Sequence, residues 1–122
     1  MSRPAARTMW RLAAFAPLLA ACAGGDRPPP RHHTVEIRDM AFHPAELRVA
    51  PGDTVTWTNR DFVPHTATAP DSAWTSPPLA KGESWQMVVR APGRGTYICA
   101  YHPTMRATLV ALATPPVPEI DP

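Results

Sequence analysis

Cysteine is scarce in this 122-residue chain: Cys22 and Cys99 are the only two. A disulfide framework of the kind that staples small secreted domains is therefore excluded beyond a single bridge. Long apolar runs are also missing. The longest, Leu12 to Ala21, spans ten residues, about half of what a membrane-crossing helix requires. No segment carries a helical period of useful length, which argues against a helical bundle. A basic excess is absent too, once three of the twelve Lys and Arg residues are set aside because they precede Cys22. The other nine face ten acids, a net of −1 with His neutral. Such a balance gives no electrostatic case for nucleic acid or a strongly acidic partner.

What is present begins with an address. Arg3, Arg7 and Arg11 precede the short apolar run, with no acid among them. This reads as a secretory signal over residues 1–21. Leu19-Ala20-Ala21-Cys22 resembles the lipobox of bacterial lipoproteins, which implies acylation of Cys22 and an exported, membrane-anchored, periplasmic protein. Ala23 stands where inner-membrane retention is associated with Asp, so the outer membrane is the expected destination. Residues 22–33 include Gly24-Gly25 and Pro28-Pro29-Pro30, a flexible then extended tether. With Cys22 assigned to the anchor, Cys99 is left as a free thiol in an oxidising compartment, where a bound metal accounts for its tolerance. A Cys22–Cys99 disulfide is the alternative, and it requires the tether to reach the Cys99 loop.

The folded domain is expected over 34–113. Val35 and Ile37 alternate with Glu36 and Arg38; Leu47 and Val49 form a second short strand; Val55 and Trp57 alternate with threonines before Asn59. Trp85, Met87 and Val89 alternate again, Pro92 to Gly95 turns the chain, residues 96–99 return it, and Ala107, Leu109 and Ala111 line the last strand. Short period-2 strands separated by Pro and Gly turns predict an all-β sandwich. Residues 71–81 show no period and are expected to cross between sheets. His32-His33 reads as a solvated strand start, since adjacent strand residues face opposite ways. The Pro-rich tail, residues 114–122, is expected to be disordered.

The chemistry gathers in Cys99-Ala100-Tyr101-His102-Pro103-Thr104-Met105. A thiol, an imidazole and a thioether recur there every three residues, and a second imidazole, His65, follows the Thr54–Asn59 strand. Taken singly, a Met is more often core filler and a Cys a small buried hydrophobe. Together, two His and one Cys with a weak axial Met form the ligand set of a type 1, or blue, copper site.

The chain also resembles the cupredoxins, and among them amicyanin and the plastocyanins. The likeness rests on Gly52-Asp53-Thr54-Val55-Thr56-Trp57-Thr58-Asn59-Arg60, Pro64-His65, Gly95-Thr96-Tyr97 and Cys99-x2-His102-x2-Met105-Arg106. It implies an eight-stranded Greek-key β-sandwich with one Cu(I)/Cu(II) ion at one end. His65, Cys99 and His102 are then close ligands, Met105 is axial, and His102 is the electron's exit. Val63, Pro64, Tyr101 and Pro103 are expected to form an apolar docking patch around it. Three departures concern the surroundings of the metal. Thr66 stands where the family usually has Asn bridging the ligand loops, and Gly95 where amicyanin-like proteins carry an aromatic. Tyr101 replaces a usual Pro, so its backbone N–H is free to reach the Cys99 sulfur.

These features predict a monomeric, periplasmic electron shuttle, not an enzyme, serving redox partners such as a c-type cytochrome, a dehydrogenase or an oxidase. Copper carriage or storage is the alternative, distinguished by copper transfer to an apo-acceptor. A copper enzyme needs further centres, and Ile98 and Ala100 flank Cys99 where bridging His ligands are usual. Zinc accepts Cys and His, but Met105 at the axial spacing favours copper.

Overall fold

The computed structural model describes residues 28–113; the expected signal segment, Cys22, most of the expected tether and the residues of the expected tail lie outside this range. Seven strands, and no helix, form among the described residues: β1 (His32–Arg38), β2 (Ala41–His43), β3 (Glu46–Val49), β4 (Thr54–Asn59), β5 (Ser84–Val88), β6 (Gly93–Ile98) and β7 (Arg106–Ala111). They make two sheets, ordered β2-β1-β4-β5 and β3-β7-β6. Both sheets are mixed. β1 runs parallel to β4 with Val35 opposite Trp57, and β3 runs parallel to β7 with Leu47 opposite Leu109.

The period-2 reading places the core correctly. Val35, Ile37, Val55 and Trp57 have no exposed surface, while the alternating Thr34, Glu36, Thr54 and Thr56 are exposed or half-buried. Trp57, Tyr97, Phe42 and Trp74 pack edge-on or tilted, with centroids 4.7 to 5.6 Å apart. These rings fill the space between the sheets, and aromatic pairs of this geometry contribute about 0.5–1.5 kcal/mol each beyond area burial.

Three details differ from the sequence expectation. The resemblance implies eight strands; here residues 65–79 contribute only isolated bridges, His65 to Leu79 and Thr68 to both Thr75 and Ile98. Pro70, Pro77 and Pro78 interrupt that stretch and cannot donate to a ladder. Strand β1 starts at His32, two residues inside the expected tether, because His32 and His33 register with Thr54 and Val55. Strand β6 starts at Gly93, so the expected turn over Pro92 to Gly95 is mostly strand, paired with β7 from Gly93–Ala111 onward.

Asp53 secures the pole where β1 and β4 begin. Buried to 4 % exposure, its carboxylate accepts from the Arg31 and Ala50 amides and from His33 Nε2, at 2.8, 3.0 and 2.8 Å. Burial pushes its pKa up, but the two amides and His33 outweigh this and hold it below the usual 3.8. Because the folded value is the lower one, this contribution is complete above the unfolded pKa and is lost as pH falls through the folded value. Asp53→Ala is expected to destabilise the fold by about 2–4 kcal/mol at pH 7, since hydrogen bonds to charged groups contribute about 1.5–3 kcal/mol each. Urea titrations at pH 7 and pH 3 check this: the gap between variant and wild type narrows at the lower pH.

Candidate metal centre

Both imidazole-bearing loops leave the same pole of the sandwich, one after β4 and one after β6. Asn59, the last residue of β4, is fully buried and organises the first loop. Its Nδ2 donates to Val63 O at 2.9 Å and Leu79 O at 2.8 Å, and its Oδ1 accepts the Asp61 amide at 2.9 Å. The chain is thereby folded back so that His65 enters the interior, where its backbone pairs with Leu79.

Asp61 orients the His65 ring. Its Oδ2 lies 2.8 Å from His65 Nε2. The carboxylate also accepts the Asp39 and Met40 amides at 2.8 and 3.0 Å. Burial raises its pKa, but those two amides and His65 outweigh burial and hold it below the usual range. An ionised carboxylate only accepts, so His65 donates from Nε2, and in the neutral ring Nδ1 is then the lone-pair nitrogen facing the interior. The two amides belong to a two-residue turn between β1 and β2 in which Asp39 and Met40 have φ of 53° and 57°, a conformation costly for such residues. One carboxylate thus stabilises this turn and fixes the tautomer of His65.

The second loop closes on itself. His102 N–H donates to Cys99 O at 3.2 Å, Met105 N–H to His102 O at 2.8 Å, and Cys99 N–H to Met105 O at 3.3 Å. Cys99 and His65 have no exposed surface, Met105 is 4 % exposed, and His102 is half-buried. Cys99 Sγ lies 3.6 Å from His65 Nδ1 and 3.7 Å from His102 Nδ1, and the three candidate ligand atoms are all within 4.8 Å of one another. Both S–N separations are shorter than the sum of a metal–sulfur and a metal–nitrogen bond, about 4.3 Å. Each nitrogen can therefore share one ion with the sulfur at ordinary bond lengths.

Thr66 ties the loops together. Its N–H donates to Cys99 Sγ at 3.4 Å, and its Oγ1 accepts the Ala100 amide at 2.8 Å. The side-chain bridge that the absence of Asn put in question is supplied by threonine. Among the described residues the backbone amide reaching the sulfur is that of Thr66. Tyr101 is instead 52 % exposed. Val63 is 43 % exposed, and Pro64 and Pro103 are exposed. Phe62, which the sequence reading passed over, is 88 % exposed with Lys81 Nζ 3.4 Å from its ring centroid.

Thr66→Val removes the Oγ1 acceptor while keeping shape, leaving the Ala100 amide unpartnered. The expected loss is about 1–3 kcal/mol, read as a lower denaturation midpoint, with Thr66→Ser retaining most of the stability.

Two mixed sheets carrying a buried His-Cys-His cluster at one pole, with a Met closing the loop, define a metal-binding β-sandwich. The family model described as Cupredoxin-like domain matches residues 11–111, and the chain belongs to that family. It is 32% identical over 108 residues to Amicyanin-alpha of Methylorubrum extorquens, covering 81% of this chain and 91% of that protein. The structure of an amicyanin mutant in its oxidised state superposes with a TM-score of 0.63 at 31% identity, covering 66% of this chain and 82% of the other. A purple cupredoxin from Nitrosopumilus maritimus superposes with a TM-score of 0.62 at 28% identity, covering 66% and 99%. The chain is a cupredoxin of the amicyanin type, its cofactor is copper, and its class transfers electrons.

Proposed function

We propose that the protein is a periplasmic, lipid-anchored shuttle that passes single electrons between redox proteins, with copper held by His65, Cys99 and His102 and capped by Met105. The observation that carries this reading is the unequal burial of a convergent site: Cys99 and His65 are sealed, while His102 alone of the three meets solvent. Copper bound there supplies a one-electron couple. The chain's residues supply rigidity. Asp61 holds the His65 tautomer, Thr66 joins the two loops and donates to the sulfur, and the turn bonds around Cys99, His102 and Met105 leave the ligands little room to move. Ligands that stay in place between oxidation states keep reorganisation small.

The edge of His102 is the route in and out. Val63, Pro64, Tyr101 and Pro103, joined by Phe62, give it an apolar surround suited to the small interfaces of brief redox encounters. A c-type cytochrome or a dehydrogenase is the class of partner this surface fits. Mixing the oxidised protein with a reduced c-type cytochrome in a stopped-flow instrument tests the reading. Rapid, reversible, second-order exchange supports it; copper transfer to an apo-acceptor without electron exchange supports carriage and sinks the shuttle. Anchoring rests on Leu19-Ala20-Ala21-Cys22. Full-length protein is expected to fractionate with membranes, where two acyl signals give stable attachment. Cys22→Ser is expected to abolish that, and wild type found wholly in the soluble periplasm would refute the anchor.

A further inference from the structure

Both ends of the described chain leave the sandwich at the pole remote from the metal loops. β1 and β4 run parallel and start there, while β7, antiparallel to β6, returns there, so that Leu112 N–H donates to Val49 O at 2.8 Å. The entering segment is pinned across that pole. Arg31 N–H donates to Asp53 Oδ1 at 2.8 Å, Thr54 N–H donates to Arg31 O at 2.9 Å, and Pro28 to Pro30 share a pocket with Pro51, Gly52 and Ala113. From this pole β4 carries six residues to Asn59, about 17 Å of strand. The loops that hold His65 and His102 lie beyond its far end.

This geometry limits what a lipid at Cys22 allows. Cys22 precedes Pro28 by six residues, whose reach cannot exceed about 20–22 Å in any conformation. For the metal loops to face the bilayer the domain must turn over, and those six residues must then pass the loops, the length of β4 and a headgroup layer about 5–7 Å thick. The strand and the headgroups alone use up the whole reach. Resting on the lipid-anchored shuttle reading, we infer that the metal pole is held pointing away from the bilayer, and that the electron partner is a water-soluble redox protein arriving from the aqueous side. A protein whose electron port lies at the surface of the same membrane cannot meet the His102 edge. The anchor is thus an orienting device as well as an attachment, because it is short and joins the domain at the pole opposite the copper ligands.

Two labelling sites read the orientation. Arg48→Cys places a dye at the anchored pole, where Arg48 lines the pocket beside Pro28 to Pro30, and Phe62→Cys places one at the metal pole, where Phe62 is 88 % exposed. Cys99 is fully buried and closed to the reagent. Each acylated full-length variant is copper-loaded, kept as Cu(I) so that the metal's colour does not quench the dye, and placed in phosphatidylcholine vesicles carrying an energy acceptor on the headgroup. Transfer is expected to be at least twofold more efficient from position 48 than from position 62. A smaller difference, or stronger transfer from position 62, overturns the orientation; variants that fail to float with the vesicles overturn the anchor on which it rests. Oxidised wild type in undyed vesicles is then mixed with a reduced, soluble c-type cytochrome. Exchange within about threefold of the rate for the same protein in detergent micelles supports the aqueous-side partner. A larger loss on vesicles overturns it, and no exchange in either medium overturns the shuttle reading itself.

Discussion

Cys99→Ser is expected to abolish the intense visible absorption of the copper-loaded protein and to lower copper affinity by more than 100-fold. The sulfur is the soft, charge-donating member of the cluster. It lies 3.6 and 3.7 Å from the two Nδ1 atoms, is fully buried, and accepts the Thr66 amide. A serine hydroxyl preserves most of the shape but offers a hard, poorly ionised oxygen, for which copper has far less preference than for thiolate. Replacing a group that merely orients a ligand costs about 10–100-fold in affinity in metal sites, so loss of the ligand itself exceeds that range. Absorption spectra and competitive chelator titrations of wild type and variant make the comparison. A variant that kept the colour would place the chromophore elsewhere.

Asn59→Ala is expected to destabilise the fold by about 3–5 kcal/mol. The side-chain amide lies wholly inside the protein and satisfies the carbonyls of Val63 and Leu79 together with the amide of Asp61. Each buried polar group left without a partner costs about 1–3 kcal/mol, and the shortened side chain leaves a void as well. The effect reaches the metal pole, because Asn59 sets the loop that carries Asp61 and His65. Urea denaturation of the metal-free protein measures the loss of stability, and a chelator titration measures the accompanying loss of copper affinity. A cost below about 1 kcal/mol would show that water or a loop rearrangement replaces the amide.

The sequence made the strand faces legible wherever a period of 2 survived over four residues or more. Val35 and Ile37, Val55 and Trp57, and Ala107 and Ala111 are buried as that period requires. Strand β2 escaped notice because three residues carry no period; Phe42 is its one buried side chain. The candidate ligands were legible too, because Cys, His and Met at fixed spacing are chemically distinctive, and His65, Cys99 and His102 do converge. Their supports were not. Asp61 sits only four residues before His65, but an Asp in a polar turn looks like a solvated residue until the β1–β2 turn brings the Asp39 and Met40 amides to it. For Thr66 the sequence showed the departure from Asn but not the bridge, since its Oγ1 reaches Ala100 only through the close approach of the two loops. Gly95 carried a signal, the missing aromatic, and the fold leaves open space where that side chain would stand.

A reductive titration of the copper-loaded protein, followed by visible absorption, tests the central claim most directly, because it asks whether the ion held by this cluster changes state by one electron without leaving. The account predicts an intense thiolate-to-copper band that disappears linearly with one electron equivalent per chain and returns in full on oxidation, with no copper released to a chelator in either state. A colourless Cu(II) form of the folded wild type, or a band that bleaches only as copper is lost, would contradict it.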